Sequence, residues 1–147
     1  MTGQGSAATP SSPGFLMWRA TNAWQRAQRT ALESFQLTHV QYALLATLAA
    51  DDARKGLSQA EISGRSGVDP MTTSQVVRAL EGREFVVRTA SAEDKRAQSV
   101  SLSTSGRSLV RRAQPKVEKA DADFFAQASK NAPALIAALQ VLAGIDQ

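Results

Sequence analysis

The sequence of 147 residues contains no cysteine, a single histidine and few aromatic side chains, which make up 5% of the chain. The absence of cysteine excludes disulfides, thiolate catalysis and cysteine-based redox sensing. A metal site with roughly three or more protein ligands lacks donors here. Neither a Gly-rich phosphate loop nor a pair of acids on facing predicted elements is present. The sequence therefore predicts neither an enzyme nor a bound metal or cofactor.

Long apolar runs are also absent, since no run approaches the roughly 18 residues that a membrane-spanning helix needs. The first residues, MTGQGSAATPSSPG, are small and polar, without the basic start and apolar stretch of a secretory signal. We expect a flexible tail over residues 1–14 and one domain over residues 15–147, because the chain has the length of a single domain. We also expect a soluble, cytoplasmic protein without a membrane partner.

Positive charge is concentrated in the middle of the sequence. The net charge of the chain is +4, and residues 54–112 hold 11 basic and 6 acidic side chains. This distribution is expected when one part of a chain meets a polyanion such as nucleic acid. A surplus of this size also occurs in proteins that bind no nucleic acid, so it favours that function without establishing it.

Two helices are predicted before residue 50. Between Phe15 and Phe35, apolar residues recur at steps of three or four, which predicts an amphipathic helix of about 20 residues. In LTHVQYALLATLAADD, Thr38 and Gln41 have the spacing of a capping box and predict the start of a second helix. The apolar positions of the first helix include Leu16, Ala20, Ala23, Ala27 and Ala31.

A pair of helices joined by a tight turn is predicted next. Ser58 and Glu61 form a second capping box, and Gly67 ends this short helix where a positive φ is needed. Asp69 then supplies an N-cap, and Pro70 occupies the first position of a fourth helix, where its missing N–H has no cost. The inward-facing residues of the fourth helix are predicted to be Val76, Val77 and Leu80.

A β-hairpin and two further helices complete the predicted order. The runs FVVRT and SVSLS are β-branched and partly alternating, with Val100 and Leu102 on one face. Ser103 is expected to cap a long amphipathic helix that bends at Pro115, and Asn131 is expected to cap a final short helix. The apolar positions of the long helix are Leu109, Ala113, Val117, Ala120, Phe124 and Ala128.

Residues 58–103 have the order of a winged helix-turn-helix, in which the second helix of the pair enters the major groove of DNA. Two positions agree less well with such a unit, because Ser66 and Thr73 are polar where aliphatic side chains commonly pack. The predicted fold class is mainly α, with a small β-hairpin wing.

The stretch from Leu37 to Arg107 resembles the multiple antibiotic resistance regulator (MarR) family of bacterial transcription factors. The segment EDKRAQSVSLSTSGR is the most specific part, since it resembles the wing of that family with its Asp-x-Arg pair at Asp94 and Arg96. Its last residues, Leu-Ser-Thr-Ser-Gly, are similar to the family's Leu-Thr-x-x-Gly pattern.

The resemblance implies two functional parts within the single domain. Residues 37–104 would form the winged helix-turn-helix, and residues 15–36 and 105–147 would form flanking helices that dimerise with a second copy. Pairing makes the second DNA contact effectively intramolecular, so a dimer binds more tightly than one small module. The implied DNA partner is a double-stranded, pseudo-palindromic operator.

The outer face of the fourth helix supplies the first candidates for DNA binding. Gln75 can pair with adenine, Arg78 with guanine or a phosphate, and Met71 with the methyl group of thymine. The hydroxyl groups of Thr72 and Ser74 suit phosphate contacts. The alternative is that this is an ordinary capped surface helix.

The wing supplies the remaining candidates. The resemblance implies that Arg96 enters the minor groove while Asp94 holds its guanidinium in line. The alternative is a solvated ion pair at the hairpin tip. Lys95, Arg88 and Arg107 are general candidates for phosphate contacts, and each is also consistent with a solvated surface charge.

The resemblance further implies a small effector, often an aromatic acid, in a crevice between the dimerisation and DNA-binding parts. The candidates for lining it are Trp18, Arg29, His39 and Tyr42, with Trp24 nearby in sequence. The alternative is that the aromatic residues belong to a core or an interface and that His39 is structural.

The sequence therefore predicts a DNA-binding transcriptional regulator, and we expect a homodimeric repressor whose affinity for DNA falls when an effector binds. An alternative from another class is a winged-helix adaptor that packs on protein without specific DNA binding.

Overall fold

Six α-helices and one two-stranded antiparallel hairpin form the described part of this computed structural model, which covers residues 11–50, 55–90 and 98–145. The fold is mainly helical with a small hairpin, as predicted. Short 3₁₀ segments follow the first and fifth helices. The elements are α1 (Pro13–Leu32), α2 (His39–Ala49), α3 (Gln59–Ser66), α4 (Pro70–Gly82), β1 (Val86–Ala90), β2 (Gln98–Leu102), α5 (Thr104–Phe125) and α6 (Ala132–Leu142).

The predicted side-chain caps are present at the starts of α2, α3 and α4. Thr38 and Gln41 exchange two hydrogen bonds of 3.1 Å at the start of α2. Ser58 and Glu61 form the same arrangement at α3, and Asp69 caps α4. These caps satisfy backbone N–H groups that have no partner within the helix, so each helix begins at the residue that the sequence indicates.

The helix-turn-helix and the hairpin share one apolar core. Leu44 and Leu45 of α2, Ile62 of α3 and Leu80 of α4 are completely buried. Val100 of β2 is also completely buried, which confirms the predicted inward face of the hairpin. Burial of each such side chain stabilises the fold by about 1.5–3 kcal/mol, so the wing is attached to the helices through a common core.

A short bridge before α3 fixes the hairpin to the helix-turn-helix. Within the hairpin, Val86 pairs with Leu102 in an antiparallel register. Leu57 exchanges two backbone hydrogen bonds with Val100, of 2.8 and 2.7 Å. Gly56 has a φ of 79°, and a Cβ at this position would collide with the carbonyl oxygen of Val100. Only glycine therefore fits where the chain passes this close to the strand.

The end of α5 and the start of α6 differ from the prediction. Ala128 lies outside α5, in a 3₁₀ segment with a φ of −111° and a ψ of 24°. The Gln127 side chain donates a 3.0 Å hydrogen bond to the Phe124 carbonyl and so closes the end of α5. Asn131 has a φ of −109° and a ψ of 5°, and its side chain makes no capping hydrogen bond. The 3₁₀ segment runs directly into α6, which prevents the extended conformation that a cap needs. Pro115 lies within α5.

The most buried residues of α1 are not the predicted alanines. Ala23, Ala27 and Ala31 are half-buried, whereas Gln28 and Leu32 are completely buried. Residues four apart lie on the same helix face, so these two side chains share a stripe that the alanines flank.

Apolar side chains of α1 and α6 remain exposed in the single chain. None of the residues of α6 is buried. Exposed apolar surface of this extent is unusual on a monomer and marks a surface that another molecule covers. Within the described residues, no helix combines the length and the apolar character needed to cross a membrane. The exposed apolar residues of these helices and the segment after α6 are Phe15, Leu16, Met17, Trp18, Ile136, Leu139, Val141, Leu142 and Ile145.

Candidate DNA interface and effector crevice

The rotation of α4 about its axis determines which of its side chains reach solvent. Thr73, Val77 and Leu80 are completely buried. They form one face of the helix because residues three and four apart are neighbours on its surface. The opposite face presents the predicted recognition residues to solvent, where α4 can approach DNA. The exposed residues of this face are Met71, Gln75 and Arg78.

Polar side chains lock the turn between α3 and α4. The Ser63 hydroxyl donates a 2.6 Å hydrogen bond to the Val68 carbonyl, and the buried Thr73 hydroxyl donates to the same oxygen at 3.3 Å. The Ser66 hydroxyl accepts a 3.2 Å hydrogen bond from the Val68 N–H. Gly67 ends α3 with a φ of 75°. Ser66 and Thr73, which the sequence analysis found atypical, therefore fix this turn by hydrogen bonds rather than by aliphatic packing.

Three other predicted residues of α4 are only partly exposed. Thr72 and Ser74 are half-buried, and Val76 is half-buried against the core instead of fully inside it. The Asp69 carboxylate accepts a 2.9 Å hydrogen bond from the Thr72 N–H. Hydrogen bonds from Thr72, first from its side chain and then from its backbone, lower the pKa of Asp69. A carboxylate thus occupies the N-terminus of α4, where the helix dipole favours negative charge.

Arg88 of β1 is held by neighbouring side chains. Its Nε lies 3.0 Å from Oε2 of Glu81, at the end of α4, and its Nη1 donates a 3.3 Å hydrogen bond to Oε1 of Gln98. With its amide oxygen turned toward Arg88, Gln59 also accepts from Nη1 at 2.8 Å and from Nη2 at 3.2 Å. The guanidinium of Arg88, a predicted phosphate contact, is therefore paired with side chains of the protein. Arg107, the other candidate outside the hairpin tip, is exposed.

The predicted tip of the wing lies outside the described residues. Asp94, Lys95 and Arg96 belong to residues 91–97, between the end of β1 and the start of β2. The strand β1, which leads to this tip, is joined to α4 by the contact between Arg88 and Glu81.

A junction of α1, α2 and α5 brings aromatic and acidic side chains together. Trp24 of α1 lies edge-on to His39 of α2, with ring centroids 4.7 Å apart. The Trp24 Nε1 donates a 2.8 Å hydrogen bond to Oδ1 of Asp121 on α5. The pKa of Tyr42 is raised by burial and then by the negative charge of Glu118 on α5. We call this group the junction, and its residues are Trp24, Gln28, His39, Tyr42, Glu118 and Asp121.

Burial favours the neutral forms of two junction residues. The pKa of His39 is lowered because burial removes its imidazolium from water. Tyr42, with a raised pKa, keeps its hydroxyl proton at neutral pH. Both side chains can therefore donate and accept hydrogen bonds without carrying charge.

Gln28 is the unusual polar residue of the junction. Its side chain is completely buried, yet neither its oxygen nor its nitrogen has a hydrogen-bond partner in the described structure. Gln28 lies one helical turn after Trp24 on the same face of α1. A buried, unpaired amide costs about 1–3 kcal/mol. Gln28 was not among the predicted site residues, although its spacing of four from Trp24 and from Leu32 is visible in the sequence.

The structure brings only some of the predicted effector residues together. His39 and Tyr42 lie at the junction, one turn apart on α2. Trp18 is 62% exposed and contacts Phe15, with ring centroids 6.0 Å apart, and Arg29 is also exposed. Within the described residues, no three His, Cys, Asp or Glu side chains are grouped so that they could hold a metal ion.

Comparisons with known proteins place this fold in a family. A model of the MarR family matches residues 37–97. The uncharacterized HTH-type transcriptional regulator YdcH of Bacillus subtilis is 42% identical over 120 residues, which cover 81% of this chain and 82% of the relative. The HTH-type transcriptional repressor Rv2887 of Mycobacterium tuberculosis is 32% identical over 114 residues, covering 78% of this chain and 80% of the relative.

Solved structures agree with the sequence relatives. Rv2887 in complex with salicylic acid has a TM-score of 0.69 at 28% identity, covering 90% of this chain and 99% of the other. CouR from Rhodococcus jostii RHA1, bound to a 23-mer DNA duplex, has a TM-score of 0.80 at 27% identity. That match covers 94% of this chain and 99% of CouR.

These relatives are regulators of transcription, which is not a class of enzyme, and they share both the winged fold and most of the chain length. This chain therefore belongs to the MarR family and is a helix-turn-helix transcriptional regulator.

Proposed function

We propose that this chain is a cytoplasmic, homodimeric repressor that binds a pseudo-palindromic DNA operator through α4 and the wing. The observation that carries the proposal is the orientation of α4, whose buried face leaves Gln75 and Arg78 exposed. The major groove of DNA admits one α-helix, and its base edges match amide and guanidinium groups. CouR, which has the same fold, is bound to a DNA duplex, and this supports DNA binding by this chain.

Each exposed residue of α4 has a proposed role. Gln75 pairs through its amide with the N6 and N7 groups of adenine, and Arg78 pairs with guanine or a phosphate. Met71 contacts the methyl group of thymine. Ser74, near the start of α4, donates its hydroxyl to a phosphate, and Thr72 does so by exchanging its hydrogen bond to Asp69 for one to the phosphate.

The wing extends the interface to the neighbouring groove. Arg96 enters the minor groove, where negative potential is concentrated, and Asp94 holds its guanidinium. Lys95 adds a phosphate contact without sequence preference.

A second copy of this chain covers the exposed apolar faces of α1 and α6. Residues 15–36 and 105–147 form the dimerisation part, and residues 37–104 form the DNA-binding part of one domain. The exposed side chains of α6 include Ile136, at 56%, and Leu142, at 73%. A symmetric pair of chains matches the symmetry of a pseudo-palindromic operator.

The junction of α1, α2 and α5 is the proposed effector site. Two helices of the dimerisation part meet α2 of the DNA-binding part there, so a bound ligand can alter their relative position. The complex of Rv2887 with salicylic acid supports a small aromatic ligand. The unpaired amide of Gln28 supports a ligand with a hydrogen-bonding group, because pairing would remove the cost of its burial.

The charges of the junction favour an uncharged effector. Glu118 and Asp121 both face it from α5, and Arg29 is exposed instead of turned inward. A carboxylate bound here would be repelled by these two acids. We therefore propose an aromatic compound that carries an amide or a hydroxyl group rather than an acid.

The DNA-binding proposal predicts that Gln75→Ala weakens binding to a selected operator by about 5- to 150-fold, the loss of one bidentate base contact. Its affinity for random duplex DNA should not change. Fluorescence anisotropy across a salt series measures both, and wild-type affinity should fall steeply with salt because counterions are released. The exposed Ser108, on α5, provides the control Ser108→Ala. An absence of wild-type binding at low salt would favour the adaptor function instead.

The dimer proposal predicts a mass of twice 15.6 kDa in sedimentation equilibrium at micromolar concentration. Leu142→Glu should shift the chain toward the monomer, since an ionised carboxylate buried in the interface loses its hydration. Val87→Glu replaces another exposed apolar residue, on β1 of the DNA-binding part, and should leave the mass unchanged. A wild-type monomer would contradict the assignment of α1 and α6.

The effector proposal predicts that salicylamide binds more tightly than salicylate at pH 7, because the two differ mainly in the charge of one group. Titration followed by tryptophan fluorescence and by melting temperature measures the difference. Gln28→Leu should abolish binding of salicylamide and stabilise the free protein by about 1–3 kcal/mol, since it removes an unpaired buried amide. Tighter binding of salicylate, or no binding of either compound, would contradict the proposed chemistry.

A further inference from the structure

Arg88 connects the wing to both helices of the helix-turn-helix. It lies on β1, and its guanidinium contacts Glu81 of α4 at 3.0 Å and Gln98 of β2 at 3.3 Å. Gln59 of α3 accepts two further hydrogen bonds from it when its amide oxygen faces Arg88. We call these four side chains the wing brace. Four elements therefore meet at one side chain.

Each nitrogen of the Arg88 guanidinium has a partner within the wing brace. Nε points to the carboxylate of Glu81, while Nη1 and Nη2 point to the amide oxygens. The Arg88 side chain is 22% exposed and that of Glu81 is 42% exposed. A guanidinium has five N–H donors in a rigid plane, so partners on several elements fix its orientation and theirs.

Buried side chains and a backbone bridge hold the lower part of the wing. Val86 and Leu102 are buried at the base of the hairpin, and Leu57 bridges to Val100. Arg88 pairs with Val100 and follows Val86 by two residues, so its side chain lies on the core-facing side of the hairpin, farther from the base than Val86. Side-chain contacts at Arg88 are thus suited to set the angle of the outer hairpin relative to α4.

We propose that Arg88 is a positioning residue which, with Glu81, holds the wing at the angle at which the wing and α4 contact DNA together. This inference rests on the proposed DNA-binding function and assigns Arg88 to support of the interface in place of the expected phosphate contact. Glu81 anchors Arg88 to the DNA-binding helix, and the charge of Arg88 balances the negative charge that Glu81 places on that helix.

A phosphate contact and a positioning role of Arg88 predict opposite effects of Glu81→Ala on DNA affinity. If Arg88 bound a phosphate, then Glu81 would compete for it and would repel DNA, so Glu81→Ala would strengthen binding. If Arg88 positions the wing, then Glu81→Ala weakens operator binding as Arg88→Ala does. The effect of either variant is roughly three- to tenfold, in the range of coupling between paired charged groups.

The experiment measures operator affinity of the full-length chain across a salt series for wild type, Arg88→Ala, Glu81→Ala and the exchanged pair Arg88→Glu with Glu81→Arg. Positioning predicts losses in both single variants, and recovery of most of the affinity and of the wild-type salt slope in the exchanged pair. A phosphate contact predicts a salt slope shallower by about 0.9 in Arg88→Ala, tighter binding by Glu81→Ala, and no recovery.

Two controls make each outcome decisive. Circular dichroism melts establish that each variant is folded at the temperature of the titration. Where a variant is not folded, Arg88→Lys distinguishes the two roles in its place. Lysine keeps the charge but not the planar donor set, so positioning predicts that this variant loses affinity, whereas a phosphate contact predicts wild-type affinity. If the wild type binds no DNA, the proposed function itself fails; if it binds with the phosphate pattern, only the role of Arg88 is overturned.

Discussion

Three buried side chains, Thr73, Val77 and Leu80, set the rotation of α4, and every proposed contact with DNA depends on that rotation. A turn of about 100° per residue separates neighbouring positions on a helix, so a different buried set would face other residues toward DNA. Thr73 adds a hydrogen bond to the Val68 carbonyl, which also accepts from Ser63. The rotation is therefore held by both packing and directional bonds.

The same helix is linked to the part of the chain that we assign to dimerisation. Arg83, just after α4, donates a 2.8 Å hydrogen bond to the carbonyl of Gln36, in the segment between α1 and α2. Its guanidinium also lies 4.9 Å from the ring centre of Phe85. A ligand at the junction that shifts α2 relative to α1 and α5 would also displace α4, because Arg83 links the end of α4 to the segment between α1 and α2. Effector binding and DNA binding are then coupled by their different preferences for two arrangements of the helices.

Local signals in the sequence predicted the helix-turn-helix well. The caps at Thr38, Ser58 and Asp69 are present because each depends on residues within one turn of the chain. The end of α5 and the buried stripe of α1 were predicted wrongly, and the predicted cap at Asn131 is absent, since these features depend on how helices far apart in sequence meet. For the same reason the pairing of Arg88 with Glu81 and the isolation of Gln28 became visible only in the fold. The roles of the site residues stay predictions.

The central claim is that Gln75 reads an adenine in the major groove, and a scan of the operator with 7-deazaadenine tests it most directly. Each substitution removes one N7 acceptor from the major groove and leaves base pairing intact. The account predicts one adenine in each half-site at which wild type loses about tenfold in affinity, while Gln75→Ala loses nothing further. Equal losses in both proteins at every position, or no loss at any position, would contradict it.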